Sequence, residues 1–167
     1  MKIIGAVIII GVCWAFGMDF YKSSVNKLNF AKGLYDGLEF LKSEIVFSCN
    51  FLSVSLLKAA EFSGDASGFV KTIGTELKEK GVSAERAFEK AEKMLESNTN
   101  KEMFLLTKDL FLQLGEKDSE AQEKLLEGYL QKFAIIIKKQ NDFCKKEGIM
   151  FKKTGAIVGI GIAVLLI

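Results

Sequence analysis

Apolar and polar positions are spread unevenly along this chain. The two ends are almost continuously apolar, and the stretch between them mixes apolar and charged residues at helical spacing. Ile3 to Met18 reads IIGAVIIIGVCWAFGM without a charge, followed by Phe20, Tyr21 and Lys22. Thr154 to Ile167 reads TGAIVGIGIAVLLI behind Lys152 and Lys153. As helices these stretches are roughly 24 and 21 Å long at about 1.5 Å per residue, against a hydrocarbon core of about 30 Å. Trp14, Phe20 and Tyr21 can lengthen the first as interfacial anchors while Lys22 snorkels. Ile149, Met150 and Phe151 lengthen the second if Lys152 and Lys153 do the same.

Three readings compete for the first segment: a cleaved signal peptide, a buried core helix and a membrane helix. Phe16-Gly17-Met18 is a poor cleavage site. The length would suit a core helix, but a matching apolar segment at the opposite terminus favours anchoring. The expectation is a transmembrane helix over residues 1–21, a second over 149–167, and a domain over 22–148. Lys22, Lys27 and Lys32 lie on the inner side of the first span. Lys138, Lys139, Lys145, Lys146, Lys152 and Lys153 lie on the inner side of the second, and Lys2 stands opposite them. Positive loops stay in the cytoplasm, so the middle domain is expected there, with both termini across the membrane.

Within the middle, Leu28, Ala31, Leu34, Leu38, Leu41 and Ile45 recur at three and four, one face of a helix. The first membrane helix is expected to run on into it as a stalk and to break at Ser48-Cys49-Asn50. A short helix over about residues 52–62 turns Leu56, Leu57 and Ala60 inward and ends at Ser63-Gly64-Asp65. A third, over about 66–80, gathers Phe69, Val70, Ile73 and Leu77, and Gly81 suits the position after its end. Ser83 is the N-cap of a fourth carrying Ala87, Phe88, Ala91, Met94 and Leu95. The polar turn Ser97-Asn98-Thr99-Asn100 leads to a fifth over about 101–114. That helix is rich in apolar residues (Met103, Phe104, Leu106, Leu110, Phe111, Leu114) and is expected to be the most buried. Gly115 ends it. Asp118 or Ser119 caps a long sixth helix, with Gln122 completing a capping box. Its apolar line is Leu125, Leu126, Tyr129, Phe133, Ile136, Ile137 and Phe143. No segment alternates with period two. The expected fold is all-α: a six-helix antiparallel bundle between an N-terminal and a C-terminal transmembrane helix.

Composition narrows the function. The net charge of +2 and the absence of a concentrated basic face argue against nucleic acid. Zero prolines suit long unbroken helices. Zero histidines remove the commonest general base and metal ligand. Cys13, Cys49 and Cys144 are odd in number and widely spaced, which fits neither a disulfide framework nor a zinc site.

The candidate chemistry is sparse. Gly64-Asp65-Ala66-Ser67-Gly68 lacks the Gly-Lys-Ser/Thr of a phosphate loop and reads as a helix link. Glu76 with Lys80, Glu85 with Glu89 and Glu92 with Glu96 sit at helical spacing and read as solvated faces. Glu44 lies beside the apolar face between Leu41 and Ile45. It is expected to bond to a neighbouring helix or, less simply, to face a partner. Two small-xxx-small pairs, Gly33 to Gly37 and Gly155 to Gly159, would let another helix approach. No catalytic, cofactor or metal residues are assigned, and a membrane enzyme is disfavoured because, with no histidine, serine and cysteine nucleophiles lack their usual base.

Four groups of residues resemble one family. They are Leu38-Glu39-Phe40-Leu41-Lys42-Ser43-Glu44-Ile45; Leu52 and Leu56-Leu57 with Ala60; Gly81-Val82-Ser83-Ala84-Glu85 with Ala87-Phe88; and Leu114-Gly115-Glu116-Lys117-Asp118 with Gln122. Together with the closing apolar helix they resemble the stage III sporulation protein AB family of endospore-forming bacteria, over essentially the whole chain. Asn50-Phe51 stands where the family often has proline, and Phe88 where it often has tryptophan; neither change upsets a helix–turn–helix reading. The resemblance implies a fold like the cytoplasmic domain of the type II secretion platform protein. It also implies residence in the mother-cell membrane around the forespore and a place in the channel complex linking the two cells. The implied partners are a secretion-type ATPase and other membrane components of that complex, and a homo-oligomer is compatible with it. Glu44, Gly115, Asp118, Gln122, Gly155 and Gly159 are the candidate helix-packing or partner contacts. The competing expectation is a membrane-tethered sensor or ligand-binding module, which calls for a sizeable apolar pocket with converging polar groups.

Overall fold

A computed structural model describes residues 2–48, 51–114 and 119–148. Among them are six α-helices and no strand. They are α1 (Lys2–Ser48), α2 (Leu52–Phe62), α3 (Ser67–Lys80), α4 (Ala84–Asn98), α5 (Lys101–Gln113) and α6 (Ser119–Phe143). A 3₁₀ turn, Gly64–Ala66, precedes α3, and a π-helical turn, Cys144–Gly148, follows α6. The chain forms two compact units, Met1–Asn26 with Lys139–Ile167, and Lys27–Lys138.

In the first unit, the segment predicted to span the membrane is helical as part of α1. The side chains of residues 1–10, 13, 14 and 16 lie outside the described residues, as does the whole predicted second span, 149–167. Among the described residues no helix is long and apolar enough to cross a membrane. Phe143, expected on the apolar line of α6, is partly exposed. Cys144 is buried and forms no disulfide.

In the second unit, successive helices run antiparallel, as their cross-contacts show. Glu44 on α1 reaches Lys58 on α2, Leu57 on α2 touches Gly74 on α3, and Met94 on α4 covers Gly68 on α3. Glu92 on α4 pairs with Lys108 on α5, and Asp109 on α5 with Tyr129 on α6. The predicted stalk face is buried at all six positions, Leu28, Ala31, Leu34, Leu38, Leu41 and Ile45. Phe69 sits where four helices meet. Its ring lies 6.0 Å from Phe88 and 5.8 Å from Phe111, both edge-on, and 6.3 Å from Phe30. Edge-to-face rings add about 0.5–1.5 kcal/mol per pair beyond the area they bury.

The caps follow local chemistry. Gly81 ends α3 at φ 58°, a left-handed conformation that glycine adopts without a Cβ clash, and its N–H donates to the Leu77 carbonyl at 3.2 Å. The Ser83 hydroxyl accepts from the Arg86 N–H at 3.4 Å, and Asn100 Oδ1 accepts from the Met103 N–H at 2.8 Å.

Two expectations change. The fifth helix is not the most buried: Leu105 and Leu112 are exposed, because the apolar residues of α5 fall on more than one side and only one face can meet the core. Met94, expected inside, is also exposed and lies across Gly68 instead. The small-xxx-small pair on the stalk is used, but a turn fills it rather than a helix. A Cβ on Gly33 would collide with the Ser63 carbonyl, and one on Gly37 with the Ser63 hydroxyl. That hydroxyl is buried and donates to the Ala59 carbonyl at 2.7 Å.

Candidate functional site

Antiparallel order brings the end of α1, the start of α2, the α3–α4 junction and the end of α5 to one end of the Lys27–Lys138 unit. The α2–α3 and α4–α5 links lie at the other. At the first end, Leu52 from the start of α2, Leu77 from the last turn of α3, Val82 and Glu85 from the α3–α4 junction, and Leu112 and Leu114 from the end of α5 line a hollow of about 280 Å³. The local caps make it. Gly81 turns the chain out of α3, Ser83 starts α4 two residues later, and Val82 is left half-buried between them. Glu85, in the first turn of α4, has the charge that suits a helix N-terminus.

At the α1–α2 turn, next in sequence to the lining residue Leu52, stand two aromatic side chains with little cover. Phe47 in the last turn of α1 and Phe51 just before α2 are each 85 % exposed. Full burial of a phenylalanine is worth roughly 1.5–3 kcal/mol. A pair left in water at one turn is therefore a surface that gains free energy when something covers it.

The flank between α5 and α6 is the second candidate surface. The Tyr129 hydroxyl donates to Asp109 Oδ2 and accepts from Gln113 Nε2 at 2.8 Å, and Gln113 also reaches Asp109 Oδ1 at 3.3 Å. Desolvation and then the bond to Asp109 push the Tyr129 phenol up to about 12. Lys132 Nζ lies 4.9 Å from the centre of the Tyr129 ring, at cation–π distance. Next to this tie runs an open groove of about 580 Å³, floored by Leu105, Leu106, Ile135 and Ile136 and edged by Glu102, Asp109 and Lys132. Leu105 is 53 % and Ile135 68 % exposed, so it is a surface feature and not an enclosed ligand cavity. On the other side of α5, the hydrogen bond from Lys108 to Glu92, 2.9 Å, holds the ammonium above the ordinary lysine range.

The residues singled out in the sequence fall in different places. Glu44, its side chain 14 % exposed, makes a 2.9 Å bond to Lys58 on α2. Gln122 is half-buried in the first turn of α6. Gly115 and Asp118 lie outside the described residues, in the link that joins the end of α5 to α6, and so do Gly155 and Gly159. Phe47, Phe51 and the Tyr129–Asp109–Gln113 tie were not singled out. For the phenylalanines the available signal was two large aromatics flanking a polar turn. For the tie, the four-residue spacing of Asp109 and Gln113 was legible, but the partner in the next helix was not.

Among the described residues no group of three or more His, Cys, Asp or Glu is placed to hold a metal ion. The arrangement offers two partner-accessible surfaces, the aromatic end and the α5–α6 groove. In comparisons with known proteins, the family model described as Stage III sporulation protein AB matches residues 2–167. No curated protein and no solved structure matches.

Proposed function

The chain belongs to the stage III sporulation protein AB family, and from that premise we propose that it is a membrane platform whose helical bundle docks a secretion-type ATPase. Membership implies a role in stage III sporulation. In this reading the platform belongs to the mother cell–forespore channel complex, in the mother-cell membrane surrounding the forespore. Residues 1–21 and 149–167 anchor it, and the bundle faces the cytoplasm.

The carrying observation is the end of the bundle with Phe47 and Phe51. Two of the residue groups on which the family resemblance rests, Gly81-Val82-Ser83-Ala84-Glu85 and the one opening at Leu114, are far apart in sequence and contribute to one hollow there. Exposed aromatics at such an end are the usual anchors of a protein interface. Charge supports the membrane assignment. The unit formed by both termini has Lys2, Lys22, Lys139, Lys145, Lys146, Lys152 and Lys153 against Asp19, Asp142 and Glu147, whereas acids outnumber bases in the bundle. Lys22, Lys139, Lys145 and Lys146 are exposed, as lysines flanking a cytoplasmic membrane face should be.

Co-purification from sporulating cells in mild detergent tests the reading. The native chain should sediment with membranes, resist alkaline extraction and bring the ATPase with it. The Phe47→Ala/Phe51→Ala double variant should stay in the membrane and lose the ATPase. A native chain found in the soluble fraction, or a double variant that retains the ATPase fully, would overturn it.

A further inference from the structure

We propose that the α5–α6 groove is a self-association surface, covered by the same groove of a second copy of this chain. The proposal does not rest on ATPase docking, which uses the end of the bundle. Leu105 and Ile135 project from neighbouring antiparallel helices into one open groove, and Leu112 continues the exposed line on α5 one turn beyond Asp109. Contiguous exposed apolar side chains of this size mark a surface that is covered in use. The groove is also preformed. The Tyr129 hydroxyl, held between Asp109 and Gln113, fixes α5 against α6, so no reorganisation precedes contact.

The charges select the occupant. Among the residues that line the groove they are segregated by helix: α5 contributes the acids Glu102 and Asp109, and α6 the base Lys132. A partner recognised by one sign of charge would meet repulsion along one edge. A second copy related by a twofold axis running along the groove meets none. Its α6 lies over this α5 at the same height, its Lys132 faces the Glu102–Asp109 edge, and its Ile135 packs on Leu105. Both halves of the contact are identical, as a twofold interface requires. Gly128 helps: it lies on the same exposed face of α6, seven residues before Ile135, and a Cβ there would have nothing within 4 Å. That leaves room for a second helix to approach.

The test uses the full chain in detergent with Cys13, Cys49 and Cys144 replaced by alanine. One tagged population carries Leu105→Cys and a second carries Ile135→Cys, and they are co-expressed and oxidised. A disulfide-linked heterodimer is expected, with about tenfold less linkage in either population alone. Adding Lys132→Glu should cut the linkage about tenfold by placing like charges opposite one another. Adding Glu102→Lys to that variant should restore it, which a folding defect would not allow. No linkage in the mixed population, equal linkage in the single ones, or no recovery in the charge-swapped pair would overturn the proposal. Loss of linkage with the ATPase still co-purifying would leave the docking role intact, so the two readings fail separately.

Discussion

Two seams of the same bundle are closed in opposite ways. Where α1 meets α2 and the turn after it, side chains are removed. Gly33 and Gly37 let the Ser63 residue rest directly on α1, and Phe40 stacks on Phe62 with ring centres 4.2 Å apart. Where α5 meets α6, side chains do the joining. A tyrosine, an aspartate and a glutamine tie the helices at one height, and the apolar residues beside the tie stay in water. A seam made of backbone contact has no spare volume and serves the fold. A seam tied at one height leaves a groove and can serve a partner.

The comparison is broken most severely at Gly33. Replacing it with alanine puts a methyl into the Ser63 carbonyl, which cannot rotate away. The expected loss is about 3 kcal/mol, the upper part of the usual range for overpacking, and a thermal midpoint roughly 10 °C lower in detergent-solubilised protein. Gly37→Ala should cost less, because the atom in its way is a hydroxyl on a rotatable side chain. Equal losses at the two positions would contradict the backbone-contact account.

Next in size is Tyr129→Phe, which removes the tie and should cost about 1 kcal/mol, a net hydrogen bond discounted for the exposure of Asp109. The pH dependence has a definite sign. The folded phenol titrates near 12 against an ordinary 10.0, so the bundle holds that proton more tightly than the unfolded chain does. The tie contributes fully below about pH 10 and fades as pH rises towards 12. Phenolate absorbance of the native protein should contain a component with a midpoint near 12 that is missing from the Tyr129→Phe variant. An unchanged titration curve would contradict the tie.

Smallest is the Glu44–Lys58 pair on the closed seam. Lys58 is half exposed, so Lys58→Ala should change stability by less than about 1 kcal/mol, and the difference should shrink in high salt. A larger, salt-independent loss would mean that this seam depends on charge more than on its glycines.

What was legible in the sequence followed local rules. The stalk face, the α3 stop at Gly81 and the α4 start at Ser83 each depend on neighbours within four residues, and all three stand where the spacing put them. On α5 and α6 the inner face was legible and the outer one was not. Leu110, Phe111, Leu126, Tyr129, Phe133 and Ile136 are buried as the spacing put them, but Phe143 at the end of the line is partly exposed, and spacing alone did not show that the apolar residues left off it, Leu105, Leu112 and Ile135, would share one face. The partner of Asp109 is twenty residues away, beyond any local rule. The aromatic end of the bundle needed the fold to bring the ends of α1, α3 and α5 together, although Phe47 and Phe51 could have been noticed as large apolar residues beside a polar turn.

The central claim is that this end of the bundle receives the ATPase. The most direct measurement is photocrosslinking in sporulating cells, with a benzophenone amino acid at position 51 of the full-length chain and, as control, at position 71 on the exposed face of α3. The account predicts an adduct with the secretion-type ATPase from position 51 and none from position 71. An adduct from position 71 with nothing at 51 would contradict it.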